Sequence, residues 1–252
     1  MTPPWLLRLE GLHAEPAEAR RATLRQVLRE VMAAETAGEE LGDPAFCRLA
    51  TEIFRHQADA NPTYGAWVRR RGIDPVATDD IAQTPPVPSR AFKELPIFVE
   101  GTPIEASFRT SGTTSGAERR GTHHVRDLRL YRDSVLTTGR KYVRSTGPDD
   151  MRTRIRVLSM TPPPKERPES SLVYMVSAWL EAWDDGGGGF FADRDWRVRP
   201  SDLLSAVVTA NAEDVPVVLV GTAFAFVRWL DGLGNAGHPR LPAGSVVVET
   251  GG

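Results

Sequence analysis

The densest cluster of groups able to do chemistry is Thr110-Ser111-Gly112-Thr113-Thr114-Ser115-Gly116, with five hydroxyl residues and two glycines. Glycines let successive backbone N–H groups turn toward one point, and hydroxyls add further donors, so such a loop can cradle an anion. Phosphate is the natural guest. Cationic donors follow at once in Arg119, Arg120, His123, His124 and Arg126. From Arg119 to Arg156 the chain carries eleven Lys and Arg against four Asp, a local positive excess in a chain of net charge −2. The same residue types also suit a plain turn, and composition alone leaves both readings open.

Two common phosphate motifs fail here. Gly116 and Gly121 have the spacing of a Walker A loop, but Thr122 stands where that loop requires Lys. The segment has no Gly-x-Gly-x-x-Gly either. His123 and His124 are adjacent, so on a strand they point to opposite faces and at most one can serve the loop. Cys47 is the only cysteine and hence the only thiol nucleophile at hand. It sits beside the apolar stripe of an expected helix, where a packed structural thiol is the simpler role. Five His and one Cys show no zinc-ligand spacing. Trp179, Trp183, Trp196 and Trp229 suit either a core or an acyl pocket.

The Thr110–Gly116 loop resembles the phosphate loop of adenylate-forming enzymes, whose core runs Ser/Thr-Ser/Thr-Gly-Thr-Thr-Gly followed by a basic residue. Here Ser115 is inserted between Thr114 and Gly116. In full the loop is similar to a narrower branch, the bacterial acyl-protein synthetase (LuxE) family, relatives of phenylacetate–coenzyme A ligases. Pro86-Val87-Pro88, Phe92-Lys93-Glu94, the Glu169–Met175 segment and Gly221-Thr222-Ala223-Phe224 extend the resemblance over roughly residues 80 to 252.

That resemblance implies an ATP-dependent acid–thiol ligase. Such an enzyme converts a carboxylic acid, a long-chain fatty acid in the bioluminescent members, to its acyl-adenylate. It then passes the acyl group to a thiol, on a partner reductase or on coenzyme A. ATP and Mg²⁺ are the implied cofactors, and donors positioned on the β,γ-phosphates would stabilise departing pyrophosphate. The implied phosphate ligands are Thr110, Ser111, Gly112, Thr113, Thr114, Ser115, Gly116, Arg119, Arg120 and His123. Glu249-Thr250-Gly251-Gly252 resembles the turn after a central strand on which these enzymes lay the adenine; it is equally a plain strand-ending turn. The resemblance also places an acidic Mg²⁺ ligand, a ribose-binding acid and a lysine-bearing lid beyond Gly252. The 252 residues would then be an incomplete adenylate-forming fold, inactive alone. The alternatives are an aryl- or acyl-coenzyme A ligase, and a non-catalytic nucleotide-binding or scaffold module.

The elements that must position these residues form two blocks. Residues 1–83 read as a helical region. Ala17 to Gly38 carries Leu24, Val27, Leu28, Val31 and Met32 on one stripe. Asp43-Pro44 opens a second helix with Phe46, Leu49, Ala50, Ile53 and Phe54 at helical spacing, and Asn61-Pro62 a third through Trp67, ended by Gly72. Residues 84–252 read as an α/β core. The Thr84–Pro88 connector excludes regular structure. A helical turn at Ser89–Lys93 and a short strand at Pro96–Val99 follow. Further strands are expected at Glu105–Arg109, Arg154–Met160, Val215–Val220 and Ser245–Val248, with Gly221 breaking the third. Helices are expected at Asp127–Val143, Ser171–Trp183, Ser201–Asn211 and Thr222–Leu233, and the Gly186–Gly189 run reads as a turn. This alternation predicts a mainly parallel sheet flanked by helices.

Composition bounds the rest. With 40% hydrophobic and 25% charged residues the chain can build a core. A pI near 6.2 argues against a nucleic-acid partner. One cysteine excludes an internal disulfide and fits a reducing cytoplasm. Arg8, Glu10 and His13 interrupt the N-terminal apolar stretch where a signal peptide needs an unbroken run. The longest apolar stretch, Val215 to Val227, falls short of the roughly 20 residues a membrane span requires.

Overall fold

The computed structural model describes residues 3–110, 120–144, 154–234 and 239–251. They fall into two compact units, Met1–Asp133 and Ser134–Gly252.

The first unit begins with helices α1 (Pro4–Leu7), α2 (Ala17–Thr36), α3 (Asp43–Ala60) and α4 (Pro62–Arg70). The predicted stripe of α2 buries Leu24 and Val27 against Trp5, Leu9, Leu12 and Leu49. Helix α3 starts one residue earlier than expected, with Gly42 as its N-cap and Asp43 inside its first turn, where the helix dipole favours a negative charge. Phe46, expected on the apolar stripe, is 51% exposed. Cys47 is half-buried beside it. Helix α4 continues past Trp67 to Arg70 and is capped by Asn61, whose Oδ1 accepts the Tyr64 N–H at 3.1 Å. A Cβ on Gly65 would sit 2.3 Å from the Ala58 carbonyl oxygen, so only glycine allows α4 to pack this closely on α3.

The connector behaves as proline dictates. It is flanked by short 3-10 turns at Ile81–Gln83 and Ser89–Lys93. The strand expected at Pro96–Val99 does not form. The Pro96 carbonyl instead accepts the Thr63 hydroxyl at 2.7 Å, and the Glu100 N–H donates to the Ala60 carbonyl at 2.8 Å. The Pro96 carbonyl and the Glu100 N–H that bound the segment are thus held at the α3–α4 junction, not by a strand partner.

An antiparallel hairpin follows, β1 (Ala106–Arg109) and β2 (Thr122–Val125), pairing Ser107 with His124 and Phe108 with His123. Strand β2 was not foreseen: a helix was expected to follow the Ser/Thr/Gly loop. The hairpin leads into α5 (Leu128–Gly139), capped by Asp127, which accepts the Leu130 N–H at 2.8 Å. The α form stops short of the expected Val143. Residues Arg140–Arg144 make a π-helical turn.

The second unit is built on a four-stranded sheet. Its elements are β3 (Arg156–Ser159), α6 (Ser171–Trp183), β4 (Gly189–Phe190), α7 (Pro200–Ala212), β5 (Val217–Thr222), α8 (Ala223–Leu233) and β6 (Val246–Thr250). The order is β4-β3-β5-β6 and every pair is parallel. The chain moves outward from β3 to β4, returns past β3 to β5, then continues to β6. Crossovers of one hand running in opposite directions put their helices on opposite faces. Accordingly Val157, Val218 and Val220 meet Val176, Trp179 and Trp183 of α6. Leu158 and Leu219 meet Leu203, Val207 and Trp229 of α7 and α8. Burial on both faces explains the continuous apolar run of β5. The expected α/β class and parallel sheet are therefore present.

Two glycine expectations need correcting. Gly221 does not break β5, which runs through it to Thr222; a Cβ there would lie 2.8 Å from Met160 Cε. The Gly186–Gly189 run is not merely a turn, because Gly189 begins β4. Side chains on Gly187 and Gly188 would strike Arg156 Nε at 2.3 Å and Asp184 Oδ1 at 2.1 Å.

Candidate functional site

Parallel α/β sheets bind ligands outside the carboxyl ends of their strands, at the point where strand order reverses. Here that point lies between β3 and β5. Thr222 closes β5 and is also the N-cap of α8, its hydroxyl accepting the Ala225 N–H at 3.3 Å. Ser170 caps α6 on the same edge, accepting the Val173 N–H at 3.3 Å. The N–H groups of Ala223 and Phe224, and of Ser171 and Leu172, precede those capped positions and have no partner within their helices. Two helix N-termini therefore present backbone donors and positive dipole ends at one sheet edge, which suits an anion.

The expected ligands Glu249, Thr250 and Gly251 lie on this edge. Strand β6 pairs Glu249 with Gly221 and Thr250 with Thr222. The Thr250 hydroxyl donates to the Gly221 carbonyl at 3.3 Å, and Glu249 is exposed. Gly252 is outside the described residues. Ser159 and Thr161, at the end of β3, were not singled out from sequence. Both are fully buried and their hydroxyls bond each other at 2.8 Å, so they brace the strand end.

In the first unit, the described part of the expected phosphate loop is its base. The Thr110 N–H donates to the Gly121 carbonyl at 2.9 Å, and the Gly121 N–H donates to the Thr110 hydroxyl at 2.9 Å. This double bond pins the two ends of the loop together. The Thr110 oxygen is engaged as an acceptor and keeps its proton to donate. A Cβ on Gly121 would sit 3.2 Å from the Phe92 carbonyl, so the hairpin base is packed tightly on the Ser89–Lys93 turn. Ser111, Gly112, Thr113, Thr114, Ser115, Gly116 and Arg119 lie outside the described residues. Arg120 is exposed.

The two histidines diverge, as strand alternation requires. The His123 ring lies 4.5 Å from the Phe92 ring. His124 Nδ1 meets the Ser107 hydroxyl at 2.8 Å, and its ring stands edge-on to Phe98. The Arg126 guanidinium covers Phe98 at 4.7 Å, a cation–π contact.

Three of the four tryptophans resolve toward the core reading. Trp179 and Trp183 stack 5.4 Å apart under α5, and Trp229 is buried against the sheet. Trp196 sits at a positive φ of 60° in a turn organised by the Asp193 carboxylate, which accepts the Asp195 and Arg197 N–H groups.

Among the described residues, no group of three or more His, Cys, Asp or Glu could hold a metal ion. No helix among the described residues is long and apolar enough to cross a membrane. No family model, curated protein or solved structure matches the chain.

Proposed function

We propose that this chain contributes the nucleotide-binding core of an ATP-dependent acid–thiol ligase of the acyl-protein synthetase type. The observation that carries the reading is the strand-order reversal at β3/β5, with the Thr222-capped start of α8 and the Glu249–Gly251 segment side by side on its carboxyl edge. The resemblance of the Thr110–Gly116 loop to an adenylate-forming phosphate loop supplies the reaction class. In that reaction a carboxylate oxygen attacks the α-phosphorus of ATP. A C–O–P linkage forms, the α–β phosphoanhydride breaks, and pyrophosphate carries away the electron pair. A thiolate of a reductase or of coenzyme A then attacks the acyl carbon and expels AMP. Helix N-termini are suited to the first step because charge grows on the phosphates. A reducing cytoplasm is the natural setting for a free thiol acceptor.

Calorimetric titration of the 252-residue chain with ATP and with a non-hydrolysable acyl-adenylate mimic tests the reading. Both should bind at one site, and Thr222→Val should weaken them about tenfold while costing about 1 kcal/mol of stability through the lost cap. Absence of binding by either ligand would sink the proposal.

A further inference from the structure

The first unit grips one proline segment of its own and leaves open space beside it. Thr84 at φ −72°, ψ 126° and Pro88 at φ −59°, ψ 133° give the connector polyproline II dihedrals at both ends. Helix α4 holds it by an aromatic hydroxyl: Tyr64 donates to the Pro85 carbonyl at 3.1 Å. Two open lobes flank this contact. One, about 460 Å³, lies between α3 and the connector. The other, about 280 Å³, lies between α4 and the Ser89–Lys93 turn. Tyr64, Val87 and Ile97 line both, so the lobes adjoin as one elongated groove.

The walls define the guest. Phe54, Tyr64 and Trp67 make the groove aromatic, with Ile53, Pro86 and Leu95 between them. The hydroxyls of Thr63 and Thr84, like that of Tyr64, donate to backbone carbonyls. The Trp67 Nε1–H is buried and has no acceptor among the described residues, so the second lobe calls for one. The Arg71 guanidinium covers the Trp67 ring at 4.8 Å and fixes the indole. The charged lining residues are Arg90 and Glu94, one of each sign, so the groove favours neither an anion nor a cation. It therefore suits an uncharged, elongated guest that carries acceptors and few donors. Most peptide segments fail, because each residue brings an N–H that these walls leave unpaired. A prolyl residue brings a carbonyl and no N–H, and a polyproline II helix is ordered before it binds. Its three-residue turn sets two prolines on one face about 9 Å apart, which suits two lobes sharing one wall.

We propose that this groove docks a proline-rich, polyproline II segment of a partner polypeptide, one proline in each lobe and a backbone carbonyl at the Trp67 indole. The mode repeats between chains what Tyr64 and Pro85 do within this one. The inference is independent of the proposed function: its residues all belong to the first unit and none lies on the sheet edge.

NMR titration of the nitrogen-15-labelled 252-residue chain with acetylated, amidated decaproline tests it, against a capped Gly-Ser repeat of equal length. Decaproline should saturate one site and move the Trp67 indole N–H peak, which is identified by its absence in Trp67→Phe. The Gly-Ser peptide should leave that peak in place. Trp67→Phe keeps an aromatic wall and removes the donor, so on the backbone amides it should weaken decaproline about fivefold. Arg90→Gln and Glu94→Gln should each change binding by less than about twofold, because the guest is uncharged. Ala91→Trp should fill the second lobe and abolish binding. If that variant melts early, broadening of the Trp67 peak by decaproline with a terminal nitroxide takes its place. No saturable binding, equal binding of the Gly-Ser peptide, or binding that leaves the Trp67 peak unmoved overturns the proposal. So does dodecanoate that moves this peak where decaproline does not, which would give the groove to a lipid. Thr222→Val should lose nucleotide and bind decaproline unchanged, so each site can fail without the other.

Discussion

Each unit buries an arginine that makes several bonds at once, and these two are used in opposite ways. Arg55 in the first unit spends most of its donors on backbone. It reaches the carbonyls of Pro75, Val76 and Thr78 at 3.0 to 3.1 Å, and Glu52 at 2.6 Å. Its other carboxylate partner, Asp79, has a 91% exposed side chain and adds little. Arg156 in the second unit spends its donors on charge. It forks onto Asp185 at 2.9 and 3.1 Å and reaches Glu213 at 2.7 Å. Hydrogen bonding to Asp185 holds its guanidinium above even the usual arginine range. Burial pushes the Asp185 carboxyl up, but hydrogen bonds from Arg156 and the Gly187 N–H outweigh it and leave the carboxyl below its ordinary value. The lesson is that one cation gives a loop its shape while the other neutralises a carboxylate, Asp185, that the edge of a sheet buries.

The largest effect should therefore come from Arg55→Ala. It strands three carbonyls and takes the ion-pair partner from Glu52, whose side chain is 2% exposed, a loss of about 3–5 kcal/mol. Hydrogen exchange at the Val27 and Val68 amides measures it within the first unit. Arg156→Ala should cost less, about 1–3 kcal/mol, because Asp185 keeps the Arg154 guanidinium at 3.0 Å and the Gly187 N–H at 2.9 Å. Exchange at the Val157 and Leu219 amides is the readout, and a loss exceeding that of Arg55→Ala would reverse the contrast.

The smallest effect is in pH dependence. His56 is held below its ordinary value by burial first, then by the charges of Arg20 and Arg21, against a weaker opposing pull from Asp59. A depressed histidine gives stability that is complete above the unfolded value near 6.5 and fades as pH falls through the folded value. For Asp185 the same sign applies around the ordinary carboxylate range. The first unit should thus soften below pH 6.5, while the second holds until pH falls below about 4. His56→Gln should flatten the slope of melting temperature between pH 5 and 6.5. An unaltered slope would remove His56 as its source.

Legibility in the sequence followed the strength of local signals. Helix α6 was legible at both ends because Ser170 caps it and its apolar residues repeat at helical spacing. Strands β3, β5 and β6 were legible from their apolar runs, and that alone located Glu249–Gly251 at a strand end. Strand β2 was hidden because His123 and His124 break any apolar alternation, and its partner strand supplies the pairing. Strand β4 is two residues long and begins inside a glycine run, so nothing local marks it. The strand expected at 96–99 failed for the converse reason: an apolar segment can be satisfied by helix termini that no window of sequence displays. The doubling of Thr222 as strand end and helix cap was not legible, because Gly221 read as the end of the strand and Thr222 only as the start of the helix.

The Arg156 clasp also bears on the order of folding. Its bonds join residues 29 and 57 positions apart in the chain. Such distant contacts are rewarded only after long loops have closed, so they form late on the route to the native state. The clasp should consequently be absent from the folding transition state. Removing it would hasten unfolding far more than it slows refolding, and Arg156 would show a φ-value near zero beside higher values for the locally stabilised α6. The buried charge network then acts as a latch on the finished sheet: it sets how long the folded unit lasts, while the apolar strands set how fast it is reached.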